Sequence, residues 1–369
     1  MTHPIIETIL KKSPHMKWMD GGTILLVRHG SHAYGTNTET SDEDFKGVAI
    51  PPKQYFFGYT HRFEQAELKA PDDDAVIYDI RKFFSLAADC NPNIIEVLHT
   101  DPSDHFVVTP IGQMILDHKD DFLSKKIKHT MTGYAVSQLH RIRSHKKWIM
   151  SPPTNPPTRA DLGLPEQTLI PQDQLAAAFA EIQKELDRMN FDFMENLEES
   201  TKIEIRNSMA SMLAEMKITT DEQFGAAARK IGLSDNFIML MQKERQYNGA
   251  KRDWDQYQNW KKTRNVKRSE LEEKFGYDTK HAYHLVRLIR MCREILTTGK
   301  VIVKRPDREE LLSIRNGAWS YEQLIEFAER EEKELNDLYT STTVLPKIPN
   351  QEKIDQLCIK LVELHLSSS

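Results

Sequence analysis

The sequence predicts an α+β fold, with its sheet in the first third of the chain and a large α-helical region after it. Three observations lead there. Up to about residue 110, short β-rich runs alternate with turn clusters. Beyond that point, long segments carry helical periodicity or composition. The chain of 369 residues is 39% apolar and 28% charged, the balance of a globular protein. Its length suits two domains, which the change in texture divides as 1–110 and 111–369.

The elements follow in order. Thr23-Ile24-Leu25-Leu26-Val27 reads as a strand. Phe45-Lys46-Gly47-Val48-Ala49-Ile50 is a second, stopped by Pro51-Pro52. Ala75-Val76-Ile77-Tyr78 is a third, after the acidic turn Pro71-Asp72-Asp73-Asp74. From Ile80 to Ala88 the apolar residues return at helical spacing. Asn91-Pro92 reads as an N-cap with proline at the first helical position, opening a short helix through Leu98. Helices are expected near 111–149, 173–215, 221–231, 280–298 and 320–339. Four prolines within Ser151-Pro152-Pro153-Thr154-Asn155-Pro156-Pro157 make a stiff, non-helical loop between the first two of these.

Composition excludes several classes. No apolar run approaches the roughly 20 residues that span a bilayer. The first twelve residues lack the pattern of a secretory leader. Cys90, Cys292 and Cys358 form no CxxC pair, which argues against a disulfide framework or a structural zinc site. A cytoplasmic protein without a membrane partner is expected. The net charge, 50 − 55 = −5, does not by itself point to nucleic acid.

The most informative stretch runs from Gly30 to Gly47, between two predicted strands. In Asp42-x-Asp44 on extended backbone, both side chains project to one face. Two carboxylates that close repel unless a divalent cation lies between them. Hard oxygen ligands suit Mg²⁺ or Mn²⁺, which also bind substrate phosphates. The Gly30-Ser31 turn offers close backbone approach, free N–H groups and a hydroxyl for a phosphate. Alone, the acidic pair also fits an exposed hairpin loop; the joint spacing favours the site.

This pattern resembles the DNA polymerase β-like nucleotidyltransferase superfamily: a Gly-Ser turn, an Asp-x-Asp pair, then a third carboxylate on a neighbouring strand. Glu43 departs from it, standing where many members have an apolar residue. With Tyr34-Gly35 and Ser41 through Gly47 included, the chain more specifically resembles the RNA-ligase-associated (RlaP) polymerase β-like proteins of bacteria and large phages. Three later segments look similar to that group. They are Arg81-Lys82-Phe83 with Asn91-Pro92-Asn93-Ile94-Ile95-Glu96-Val97-Leu98, Arg264-Asn265 with Phe275 to Leu288, and Gly299 with Arg305-Pro306-Asp307. The resemblance spans about residues 22–318. It implies a mixed sheet with helices, a metal site of Asp42, Asp44 and a third acid, and nucleotide contacts from Gly30, Ser31 and Tyr34. For the third acid, Asp74 at the strand edge is favoured over Asp79, which faces the other side of a regular strand.

The helical region adds basic groups. From Lys243 to Arg268, nine cations stand among Tyr247, Trp254, Tyr257 and Trp260. Such a segment either stacks bases and meets phosphates or packs its aromatics inward and leaves its charges solvated. Lys280, His284 and Arg287 share a helix face at i, i+4 and i+7, with His281 beside them. In the context of the resemblance they are expected to hold a triphosphate; alone, the stripe also reads as solvated charge and a core histidine.

The expectation is a nucleotidyltransferase that uses Mg²⁺ or Mn²⁺ to transfer NMP from an NTP to an acceptor hydroxyl. RNA, at its 3′ end, is the first acceptor class. Protein nucleotidylation is an alternative, as is a catalytically silent nucleotide- or RNA-binding module.

Overall fold

The computed structural model describes residues 3–39, 41–69, 73–168, 170–191, 221–263 and 266–368. It resolves into two compact units, Met1–Ile142 with Asp278–Ser369, and Arg143–Tyr277. The sequence division at residue 110 differs from this. Segments on both sides of the second unit in sequence fall in the first unit, and a change from strand to helix composition does not mark where packing changes.

The first unit is built on a five-stranded sheet of order β3-β4-β2-β1-β5. Its strands are β1 (Thr23–His29), β2 (Glu43–Ala49), β3 (Gln65–Lys69), β4 (Asp73–Asp79) and β5 (His105–Val108). β2 runs antiparallel to β1 and parallel to β4, so the sheet is mixed. The α+β expectation is met, with three strands where they were read. The two unread strands, β3 and β5, are short edges. In β3 only Ala66 and Leu68 are buried, between Gln65, Glu67 and Lys69; such charged edges discourage further pairing and carry little apolar signal.

Each face of the sheet has its own cover. One face packs Leu26, Phe45, Ala49, Ala75 and Ile77 against Ile5, Ile6 and Ile9 of the Pro4–Lys12 helix. The alternate residues look the other way, where the Ile80–Ala88 helix contacts β2 and β4 and the Pro92–Leu98 helix contacts β1. The central strands are thus covered on both sides and are apolar over much of their length.

The helix expected over 111–149 is interrupted. Pro110–Asp117 is capped by Thr109, whose hydroxyl accepts from the Gly112 N–H at 3.1 Å. A short turn, Lys119–Phe122, then sends Phe122 and Leu123 into the interior before Lys126–Met150 begins. The expected helices near 221–231, 280–298 and 320–339 appear as Asp221–Lys230, Thr279–Thr298 and Tyr321–Ser341. Of the expected 173–215 helix, Gln172–Phe191 is described and the remainder lies outside the described residues, as do Arg264 and Asn265. Thr279–Thr298 is amphipathic, burying Ala282, Leu285, Val286, Ile289 and Ile295, and packs on Arg308–Arg315 and Tyr321–Ser341.

In the second unit, Ile182, Phe224, Ala227, Ile238 and Met241 form a core between the Gln172–Phe191, Asp221–Lys230 and Asp235–Thr263 helices. Trp148 lies 5.9 Å from Tyr257 and 5.4 Å from Trp260 between ring centroids. Trp148 and Tyr257 are buried. These aromatics pack with one another, whereas Lys251, Arg252, Lys261 and Lys262 are exposed.

Asp79 joins strand to helix. Its carboxylate caps Ile80–Ala88 by accepting from the Arg81 N–H at 2.8 Å and pairs with the Arg81 guanidinium at 2.8 and 2.9 Å. It is 1% exposed. Replacing Asp79 with Ala is expected to cost about 1–2 kcal/mol through the lost cap, read as a lower urea midpoint.

Candidate functional site

The site grows from strand register. Asp44 pairs with His29 across β1 and with Asp74 across β4. Paired residues share a sheet face, so the carboxylates of Asp44 and Asp74 stand side by side. Asp42 lies just ahead of β2 and is exposed, as is Asp74. The Asp44 carboxyl is pushed above its ordinary pKa by burial, then by the charges of Asp42 and Asp74; Lys46 and Lys280 oppose that rise. The charges of Asp42 and Asp74 therefore both act on Asp44. Their oxygen donors suit a hard divalent cation, which would relieve the repulsion.

The Gly30 turn is part of the same construction. Gly30 has φ +69°, in the region that favours glycine, and a Cβ built there would lie 2.1 Å from Asp44 Oδ2. The missing side chain lets the Asp44 carboxylate lie against the turn. Gly30–Tyr34 then forms a single helical turn, closed by Gly35. The Ser31 carbonyl accepts from the Thr36 N–H at 2.9 Å. Thr36 is held in turn by a 2.6 Å hydroxyl contact with Tyr283, and the Tyr34 carbonyl accepts from the Arg305 N–H at 3.0 Å.

The Thr279–Thr298 helix contributes differently from what its sequence stripe suggests. Lys280 is exposed, and its charge acts on Asp44. His281 Nε2 lies 3.6 Å from the Asp278 carboxylate. His284 is held well below the ordinary histidine pKa by burial, then by Arg287, Lys280 and His281. It is neutral at pH 7 and offers no cation. Arg287 is buried, ion-paired with Glu96, and its guanidinium lies 3.8 Å from the Tyr34 ring centroid. Tyr34 is also buried and donates its hydroxyl to Glu96 at 2.5 Å. The Tyr34 hydroxyl and the Arg287 ion pair are thus directed to the internal partner Glu96.

Three further residues belong to this region and were not singled out from sequence: Glu96, His29 and Lys46. The buried Glu96 carboxylate meets Arg287, Tyr34 and His29, the last at 3.2 Å. Burial raises the pKa of Glu96, but Arg287 and His29 outweigh it and hold the carboxyl far below its ordinary range. His29 falls to about 4, because burial outweighs the attraction of Glu96. Lys46 follows Asp44 by two on β2 and shares its face; burial lowers its amine to about 8 against the pull of Glu96 and Asp44. A Glu inside Asn93-Ile94-Ile95-Glu96-Val97-Leu98 was the available signal, since a charge amid an apolar helical run needs a partner. Asp79 is engaged by Arg81 on another side of β4 from Asp74.

Comparison with known proteins follows this geometry. Residues 5–153 match the model of the family described as RlaP, RNA repair pathway DNA polymerase beta family. That segment, which holds the whole sheet, is similar to this polymerase β-like family, whose name points to RNA repair. A protein of Enterobacteria phage T4, described as "Uncharacterized 38.9 kDa protein in nrdC-mobD intergenic region", is 31% identical over 130 residues. The match covers 31% of this chain and 37% of that relative, so the chain spans little more than a third of the phage protein's length. No solved structure matches the chain. The similarity read from sequence in the segments beyond residue 153 lies outside the family match.

Two substitutions test the construction. Gly30→Ala is expected to displace Asp44 and lower stability by about 1–2 kcal/mol, from the φ penalty alone, as read by chemical denaturation. Glu96→Gln leaves Arg287 buried without a counter-charge and is expected to cost roughly 3–5 kcal/mol at neutral pH. The depressed pKa of Glu96 gives stability that is full above its unfolded value and lost as pH falls. The difference between wild type and Glu96→Gln therefore narrows below about pH 4.5 in denaturation curves taken across the acid range.

Proposed function

We propose that the protein transfers NMP from an NTP to an acceptor hydroxyl, with RNA as the acceptor class. The observation that carries this reading is the pairing of Asp44 with Asp74 in register, with the charge of Asp42 acting on Asp44, beside the Gly30 turn. The family name supports the same chemistry and its link to RNA. The exposed cations of the Asp235–Thr263 helix suit a polyanion. Among the described residues no helix is long and apolar enough to cross a membrane.

In this reading Asp42, Asp44 and Asp74 hold Mg²⁺ or Mn²⁺, which supplies neutralisation of phosphate charge and activation of the attacking hydroxyl. The Gly30 backbone and the Ser31 hydroxyl receive the β- and γ-phosphates. Asp74, exposed at the start of β4, orients the acceptor hydroxyl and takes its proton. Lys280 balances triphosphate charge from the helix above Asp44. His281 and His284 border that space, His284 as a neutral imidazole. Tyr34 and Arg287 act through Glu96 as positioning residues for the turn and the helix.

The test incubates purified protein with Mg²⁺, each α-³²P-labelled NTP in turn, and a pool of small RNA and cell protein. Label is expected in RNase-sensitive product. The Asp42→Ala/Asp44→Ala variant is expected to lose at least roughly 100–1,000-fold in transfer, as sites do when charge-stabilising groups are removed. Label that resists RNase and yields to protease assigns the acceptor to protein. No label from protein that still binds nucleotide would reject transfer and leave a binding module. Asp44→Asn relieves like-charge repulsion, so its melting temperature in EDTA is expected to equal or exceed that of wild type.

A further inference from the structure

We propose that Lys46 is a direct phosphate contact of the nucleotide, its ammonium meeting a phosphate oxygen beside Asp44; this rests on the nucleotide reading above. Three observations lead to it.

The first is register. Lys46 lies one step inward from Asp44 on the same face of β2, paired with Val27 of β1 and Val76 of β4. Valines on both sides of the stem offer the amine no polar partner, so its charged end extends past them towards polar surroundings. The second is the state of its neighbours. The side chain of Lys46 makes no hydrogen bond or ion pair with any described residue, although it senses the charges of Glu96 and Asp44. Glu96 already accepts from Tyr34 and Arg287 and meets His29. The Asp44 carboxylate is shared with the site of Asp42 and Asp74. A largely enclosed ammonium with no acceptor of its own is costly, and an incoming anionic oxygen supplies that acceptor. The third is charge balance. A triphosphate brought to three carboxylates needs cations besides the metal, and Lys46 and Lys280 are the two lysines whose charge acts on Asp44.

Lys46 thereby approaches from the sheet floor and Lys280 from the Thr279–Thr298 helix. A strand position is held by backbone pairing on both sides, so the contact is pre-organised.

The experiment measures binding to full-length wild type, Lys46→Met and Lys46→Arg by equilibrium dialysis. The probes are ATP, adenosine and inorganic triphosphate, each with Mg²⁺ and each in EDTA. Melting curves establish that each variant is folded, and Lys46→Gln replaces Lys46→Met should the latter not fold. Lys46→Met is expected to weaken ATP and inorganic triphosphate about tenfold or more, the scale of one charge-assisted hydrogen bond. Adenosine binding stays as in wild type, and Lys46→Arg keeps most of the triphosphate affinity. The EDTA arm reads the lysine apart from the metal.

Equal ATP and triphosphate binding by wild type and Lys46→Met overturns the proposal and leaves the nucleotidyltransferase reading standing. If wild type binds inorganic triphosphate through Lys46 but neither binds nor transfers from any NTP, the phosphate contact survives and the nucleotide reading falls. If wild type binds neither ATP nor triphosphate under either condition, both are overturned.

Discussion

A single buried carboxylate holds the functional region together. Glu96, inside the Pro92–Leu98 helix, meets His29 at the end of β1, Tyr34 on the turn after it, and Arg287 on a helix nearly two hundred residues further along the chain. In low-dielectric surroundings such a cluster is stable only when each member has its partner. The geometry at Glu96 therefore fixes where the turn and the Thr279–Thr298 helix sit relative to β1, and so where Ser31 and Lys280 stand relative to Asp44.

The carboxylate site shows the opposite electrostatics. Asp44 titrates high through burial first and then through the charges of Asp42 and Asp74, with no ion pair to any of the three among the described residues. The two arrangements lie close in the structure but serve different ends. Balanced charge beneath the site gives rigidity. Like charge at its surface gives repulsion that a divalent cation would relieve. Gly30 links the two, because its bare Cα lets Asp44 lie against the turn that Tyr34 anchors.

The helix stripe shows why residue spacing is an incomplete guide to role. Lys280, His284 and Arg287 share a face, yet they occupy three depths. Lys280 is exposed, His284 is enclosed and neutral, and Arg287 is buried on Glu96. Helical periodicity sets direction around the axis, while what packs against each turn sets depth. The same distinction separates the aromatics of the second unit, which pack with one another, from the exposed lysines beside them.

Much of this was legible in the amino-acid sequence. β-branched runs, proline stops and the Asn91-Pro92 cap specify their elements locally, and Gly-Ser followed by Asp-x-Asp is readable as a pattern because its members are near neighbours in the chain. The β-edges were not legible, since a short charged strand exists only by pairing with another. Nor was the partition into units, because Asp278–Ser369 belongs with Met1–Ile142 although 135 residues separate them in the chain. The tertiary structure alone decided that Asp74 stands opposite Asp44 while Asp79 caps a helix, that Glu96 is the hub, and that Lys46 shares a sheet face with Asp44 with no ion pair among the described residues. Each of these depends on strand register or on contacts distant along the chain, which local pattern does not encode.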